Sequence, residues 1–145
     1  MKRLSMFLLG LVFIGLAAFA TDFYSLPNYA SFSSIEIEGQ ESMPINITRG
    51  QDLKIRGEFT APFQMNSARF KCYITVMGMT VELAGMQMDL INGEFPVSEG
   101  QKLIADITIP FPAAFFTSDD MKLEIMIDDY LFTPVVGAGF NCRVF

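Results

Sequence analysis

From position 34 onward, apolar and polar residues alternate along most of the chain. Ile35 and Ile37 alternate with Ser34, Glu36 and Glu38, and the run stops at Gly39. Leu53, Ile55, Gly57 and Phe59 alternate with Lys54, Arg56 and Glu58; Phe70, Cys72, Ile74 and Val76 alternate with Lys71, Tyr73 and Thr75. A short run at 80–83 follows. Leu103, Ala105, Ile107 and Ile109 then alternate with Ile104, Asp106 and Thr108, and Met121, Leu123, Ile125 and Ile127 with Lys122, Glu124 and Met126. The last run, about 135–145, sets Phe140, Cys142 and Val144 against Asn141 and Arg143. A period of two puts successive side chains on opposite faces, so each run predicts a strand with one buried row. Arg49-Gly50-Gln51, Asn92-Gly93, Glu99-Gly100 and Ser118-Asp119-Asp120 supply the turn chemistry between runs. Six or seven short strands and no helical period predict an all-β domain, an immunoglobulin-like two-sheet antiparallel β-sandwich. Neither repeats nor linkers divide it.

The first twenty residues follow a different pattern. Lys2 and Arg3 precede an apolar stretch over 6–19, and Ala18-Phe19-Ala20 gives the small-x-small sequence that signal peptidase cuts. The stretch is shorter than the ~20 residues of a spanning helix. Residues 1–20 are therefore expected to be a cleaved signal peptide, with residues 21–145 as the domain, secreted to the extracellular space or an endolysosomal lumen. Losing Lys2 and Arg3 from the 10 basic residues leaves 8 against 16 acidic ones, a net charge of -8. That charge disfavours nucleic acid and any long-range attraction to anionic membranes.

Chemistry-bearing residues are few. The chain has no histidine, which removes the usual general base and metal ligand. It has no Gly-x-Ser-x-Gly elbow and no phosphate-cradling glycine loop. Asp119-Asp120 and Asp128-Asp129 are adjacent carboxylates, but adjacent strand residues point to opposite faces and the first pair reads as a turn. No enzyme, cofactor or metal is expected. Cys72 and Cys142 form an even pair, which in an oxidising compartment predicts one disulfide; two buried free thiols are the alternative. Asn46-Ile47-Thr48 is an N-glycosylation sequon.

The apolar content is unusual in kind, with 15 phenylalanines, 10 methionines and no tryptophan. Such residues suit either a Phe-rich core or a surface that adapts to a flexible apolar guest. Ile109-Pro110-Phe111-Pro112-Ala113-Ala114-Phe115-Phe116 narrows the question. Two prolines should interrupt strand pairing and leave Phe111, Phe115 and Phe116 in or beside a loop. There they cover the open end of the sandwich, a partner or a ligand's tail, or else fold back as a core plug.

Several stretches taken in order carry a resemblance. Ile47-Thr48-Arg49-Gly50-Gln51, Ser67-Ala68-Arg69-Phe70, Met77-Gly78-Met79-Thr80-Val81-Glu82-Leu83 and Phe95-Pro96-Val97-Ser98-Glu99-Gly100-Gln101 resemble the ML lipid-recognition family over about residues 34–145. That family includes the small Niemann–Pick type C cholesterol carrier and the group 2 mite allergens. The resemblance implies a sandwich whose sheets splay to hold a sterol, fatty acid or phospholipid tail in an apolar cavity. It implies an entrance with Met77, Met79 and Val81 on one lip and Phe111, Phe115 and Phe116 on the other. Phe59, Phe70, Ile74, Val76, Leu103, Ile107, Ile109, Leu123, Ile125, Ile127 and Phe140 would line the space. The cysteines depart from the family pattern, since Ile45 and Phe95 stand about where family cysteines would be.

The expected function is non-enzymatic lipid binding and transfer, with transient membrane contact. The rival is an interaction module that docks a protein partner through exposed phenylalanines.

Overall fold

The computed structural model describes residues 20–145; most of the expected signal peptide, residues 1–19, lies outside them. Ten strands follow in order: β1 (Ala30–Ser31), β2 (Ser34–Ile37), β3 (Ile45–Ile47), β4 (Gln51–Thr60), β5 (Arg69–Val76), β6 (Met79–Glu82), β7 (Gln87–Leu90), β8 (Lys102–Phe111), β9 (Ser118–Asp128) and β10 (Pro134–Val144). They form two sheets. The larger has the order β1-β10-β9-β5-β6, with β3 also on β10, and the smaller has the order β2-β4-β8-β7.

The long strands are the alternating runs of the sequence. Every second residue of β4 from Leu53 to Phe59 is buried, as is every second residue of β8 from Leu103 to Phe111. Each row faces the opposite sheet, and their union is the core. Gly57 belongs to the β4 row because Phe32 fills its place: a Cβ there would come within 2.6 Å of the Phe32 ring. Phe32 in turn meets Phe59 edge-on, with ring centroids 5.8 Å apart.

Three strands are additional to the expected set. β1 and β3 pair parallel to β10, so the sandwich is not antiparallel throughout. β7 closes the other edge of the smaller sheet against β8.

The prolines also act differently from expectation. Phe111 is the last residue of β8, paired with Gln51 and buried. The Phe111 carbonyl accepts the Gly50 N–H, so the backbone at Pro110 points the other way, past the end of β7. A missing N–H costs nothing at an unpaired edge. The chain leaves the sheet only at Pro112.

Candidate functional site

The edge formed by β5 and β6 and the edge formed by β7 lie on the same side of the sandwich. Only residues 83–86 separate β6 from β7, and the Leu83 N–H is still bonded to the Cys72 carbonyl at 2.8 Å. The chain therefore steps from one sheet to the other within four residues. On β6, Val81 lies opposite Ile74 and Met79 opposite Val76, which puts both on the inner face. On β7, Met88 lies opposite Ile107 and Leu90 opposite Ala105, again on the inner face. Yet Met79 and Val81 are 69% and 55% exposed, while Val76, Leu83, Met86, Met88 and Leu90 are half-buried. Inward-pointing apolar residues that still meet water define an open slot between the sheet edges.

The second lip stands beside it. Gly85 passes next to Pro110, where a Cβ would lie 3.7 Å from the proline ring. Beyond Pro110, buried Phe111 meets Phe115 edge-on at 5.1 Å, and Phe115 stacks on Phe116 at 4.3 Å. Phe115 is half-buried against the core and Phe116 is 41% exposed. Arg49 fastens the loop by donating to the Phe115 carbonyl at 3.1 Å. At the same end, the Met77-Gly78 turn presents Met77 almost wholly to water, with Met77 itself at φ 51°. The expected lip residues are thus gathered at one end and edge of the molecule.

The expected lining residues behave otherwise. Phe59, Ile74, Leu103, Ile107, Ile109, Leu123, Ile125, Ile127 and Phe140 are between 0 and 5% exposed. A side chain with no accessible area touches no void that a water could enter, so the sheets stand closed over these positions. The space expected between them is filled by their own interdigitated side chains. Phe70 is half-buried near the far end of β5. The slot residues Met86, Met88 and Leu90 escaped sequence reading although they alternate with Gln87 and Asp89.

A broader concavity lies elsewhere, on a charged surface. A trough of about 920 Å³ runs across the outer face of the smaller sheet, between Glu36, Glu38, Lys54, Arg56, Asp89 and Asp106. Arg56 grips Asp106 through two bonds of 2.8 and 3.0 Å, and those bonds hold the Asp106 carboxyl below its usual range. A charged, open floor does not suit an apolar chain, so the slot between the sheet edges is the better candidate.

The disulfide expectation fails on topology. Cys72 lies opposite Ile125 and Cys142 opposite Met121, on the two sides of β9. A whole strand between them means a separation of at least ~9.6 Å, beyond the ~7 Å Cα limit of a bridge. Both thiols are free and buried, and burial pushes each up to about 12.

The Asp128-Asp129 pair has structural uses. Asp128 accepts the Tyr29 hydroxyl at 2.6 Å and pairs with Lys71 at 3.0 Å, and Asp129 caps the turn that follows. Among the described residues no group of three His, Cys, Asp or Glu could hold a metal. Asn46 sits in the middle of β3, exposed.

The two-sheet architecture is that of a known class of β-sandwich. A Niemann–Pick type C2 protein from the Japanese carpenter ant superposes with a TM-score of 0.72 at 12% identity, over 86% of this chain and 99% of that one. At that identity the likeness is one of fold. A second structure, AvmM, which catalyses macrocyclization in alchivemycin A biosynthesis, aligns at a TM-score of 0.38 and 11% identity over 84% of this chain and 95% of that one, below the level of a shared fold. No protein-family model matches the sequence, and no curated protein does.

Proposed function

We propose that this chain is a secreted, non-enzymatic lipid carrier. It would take the tail of a sterol, fatty acid or phospholipid through the slot between β6 and β7 into the space between its sheets. The observation that carries the reading is the inward yet solvent-exposed pair Met79 and Val81 on β6, together with half-buried Met88 and Leu90 on the inner face of β7. The resemblance to the ML family and the likeness of fold to a Niemann–Pick type C2 protein support it.

The mechanism is desolvation. Burying ~10 methylenes at ~0.8 kcal/mol each yields about 8 kcal/mol gross, from which the costs of association and of parting the sheets are subtracted. Unbranched methionines at the slot follow a guest of variable shape more readily than branched side chains do. No charged contact is required for the tail.

Secretion is part of the same reading. Ala20 is exposed, whereas Thr21 is buried and donates its N–H to the Ile35 carbonyl at 2.6 Å. The first residue after the cleavage motif is thus already part of the packed structure. The exposed Asn46 is reachable for a glycan in a host with that pathway.

The closed interior is the one observation that favours the rival reading, a protein-docking module with a solid core. Organic extraction of the purified protein and titration with a fluorescent fatty acid separate the two. The carrier yields co-purified lipid and saturable uptake, and Met79→Asp with Val81→Asp weakens uptake by about tenfold or more by placing charge where the tail must pass. Both sites are mostly exposed, so folding should survive. Absence of uptake, or uptake unchanged in that variant, refutes the slot.

A further inference from the structure

At the end of the sandwich away from the Phe115–Phe116 loop, the turn between β9 and β10 exposes three consecutive large residues. Tyr130, Leu131 and Phe132 are 48%, 65% and 58% exposed. The turn is held rigidly. The Asp129 carboxylate accepts the N–H groups of Leu131 and Thr133 at 2.8 and 2.9 Å, and the Phe132 N–H donates to the Asp129 carbonyl at 3.1 Å. Phe132 adopts φ 61°, a left-handed conformation that bulky L residues avoid. The fold therefore keeps a strained, ordered backbone whose product is an aromatic ring in water.

Cations stand at the base of this tip. The Arg69 guanidinium lies 4.3 Å from the Phe132 ring centroid and the Lys71 ammonium 5.0 Å from it. Lys71 is paired with Asp128, which also binds Tyr29, and Asp129 is occupied by the turn. Arg69 is exposed and forms no ion pair among the described residues. The nearby acids are spent, and one guanidinium remains free beside an apolar point.

We propose that Tyr130, Leu131 and Phe132 form a docking tip that inserts into the interfacial zone of a phospholipid bilayer, with Arg69 at the level of the lipid phosphates. Area favours a bilayer over a protein. The three side chains expose roughly 300 Å², whereas a stable protein interface takes about 800 Å² from each partner. A bilayer asks only for a short apolar point, with aromatic rings at the headgroup boundary and a cation among the phosphates. The full chain's net charge of -6 opposes approach to anionic surfaces, so zwitterionic lipid is the natural target. The inference does not depend on the lipid-carrier reading, because β9 separates this turn from the Phe115–Phe116 loop along its whole length.

The chain contains no tryptophan, so Phe132→Trp makes a single optical reporter. With phosphatidylcholine vesicles its emission should move to shorter wavelength and be quenched by a quencher carried on the acyl chains. Tyr130→Trp serves as a second reporter should the first fail to fold. In the otherwise native protein, Leu131→Ser with Phe132→Ser should lower vesicle partitioning by about tenfold or more, while uptake of a soluble fluorescent fatty acid stays as it was. Reporters unmoved by vesicles overturn the proposal, as does a turn that binds a protein but leaves vesicles untouched. Vesicle partitioning unchanged in the serine variant overturns it too, whereas a parent protein that binds vesicles but takes up no fatty acid would count against the carrier reading alone.

Discussion

At the scale of single residues, two close approaches set what the fold tolerates. Tyr24 lies across the outer face of β10 at Gly139, where any Cβ would overlap its ring, and Leu26 and Tyr29 crowd Gly137 in the same way. The Tyr24 hydroxyl is buried with no hydrogen-bond partner, and burial pushes it up to about 12. Cys72 and Cys142 are packed as small apolar residues. Their alternation rows correctly placed both side chains inside, but a row names only a face. Which strands are neighbours depends on long-range pairing, so the strand between the two thiols was not legible in the sequence. A sign follows for alkaline pH. Each thiol ionises near 9.0 when unfolded and near 12 when folded. The folded state thus retains protons that the unfolded state loses. The stability this confers is fully present below about 9 and declines as pH rises towards 12, by about 1.4 kcal/mol per unit for each thiol. Urea unfolding between pH 8 and 10.5 should show the decline, and Cys72→Ala or Cys142→Ala should soften its slope. Thiol reagents should label neither cysteine in the native protein and both after denaturation without reductant.

At the scale of elements, the long strands were legible because burial on one face leaves a strict alternation, as in Leu53 to Phe59 and Leu103 to Ile109. β3 was not, since three residues carry too little pattern; its strand character comes from pairing with β10 at Cys142 to Val144. The segment after β8 was half legible. Prolines do end the strand, but two residues later than expected, at Pro112 and not at Pro110, because the backbone at Pro110 faces an edge already vacated by β7. The loop at 112–117 therefore holds two phenylalanines of different standing. Phe116 rests on Phe115 at the surface, whereas Phe115 abuts buried Phe111. Phe116→Ser should shift the urea midpoint little, and Phe115→Ser should cost about 1–2 kcal/mol. Both should slow the uptake of a fluorescent fatty acid added from solution. Equal and large losses of stability in the two variants would show the pair to be a core plug and not a lip.

At the scale of the whole molecule, the sequence disclosed which residues face inward but not how far apart the two inner faces stand. The same apolar rows serve a closed core and a lined cavity, and only the packing of Leu103, Ile109, Leu123, Ile125 and Phe140 shows the closed form. A closed sandwich that accepts a tail must part its sheets, and the least-buried contacts yield first. Those are at the slot, where Val76, Met88 and Leu90 are half-buried, rather than at the β4–β8 and β9–β10 cores. Parting costs the packing energy of the side chains displaced, and the guest must return it. This makes affinity and stability oppose each other near the slot. Ile107 is the position to test, because it is buried and lies directly opposite Met88 across the β7–β8 pair. Ile107→Ala should lower stability by about 2–4 kcal/mol through the void it leaves. The same void is space the guest no longer has to open, so a fatty acid should bind the folded variant more tightly than the parent. It should also restore much of the lost melting temperature. A variant that loses affinity in step with its stability would show that the tail does not enter between the sheets.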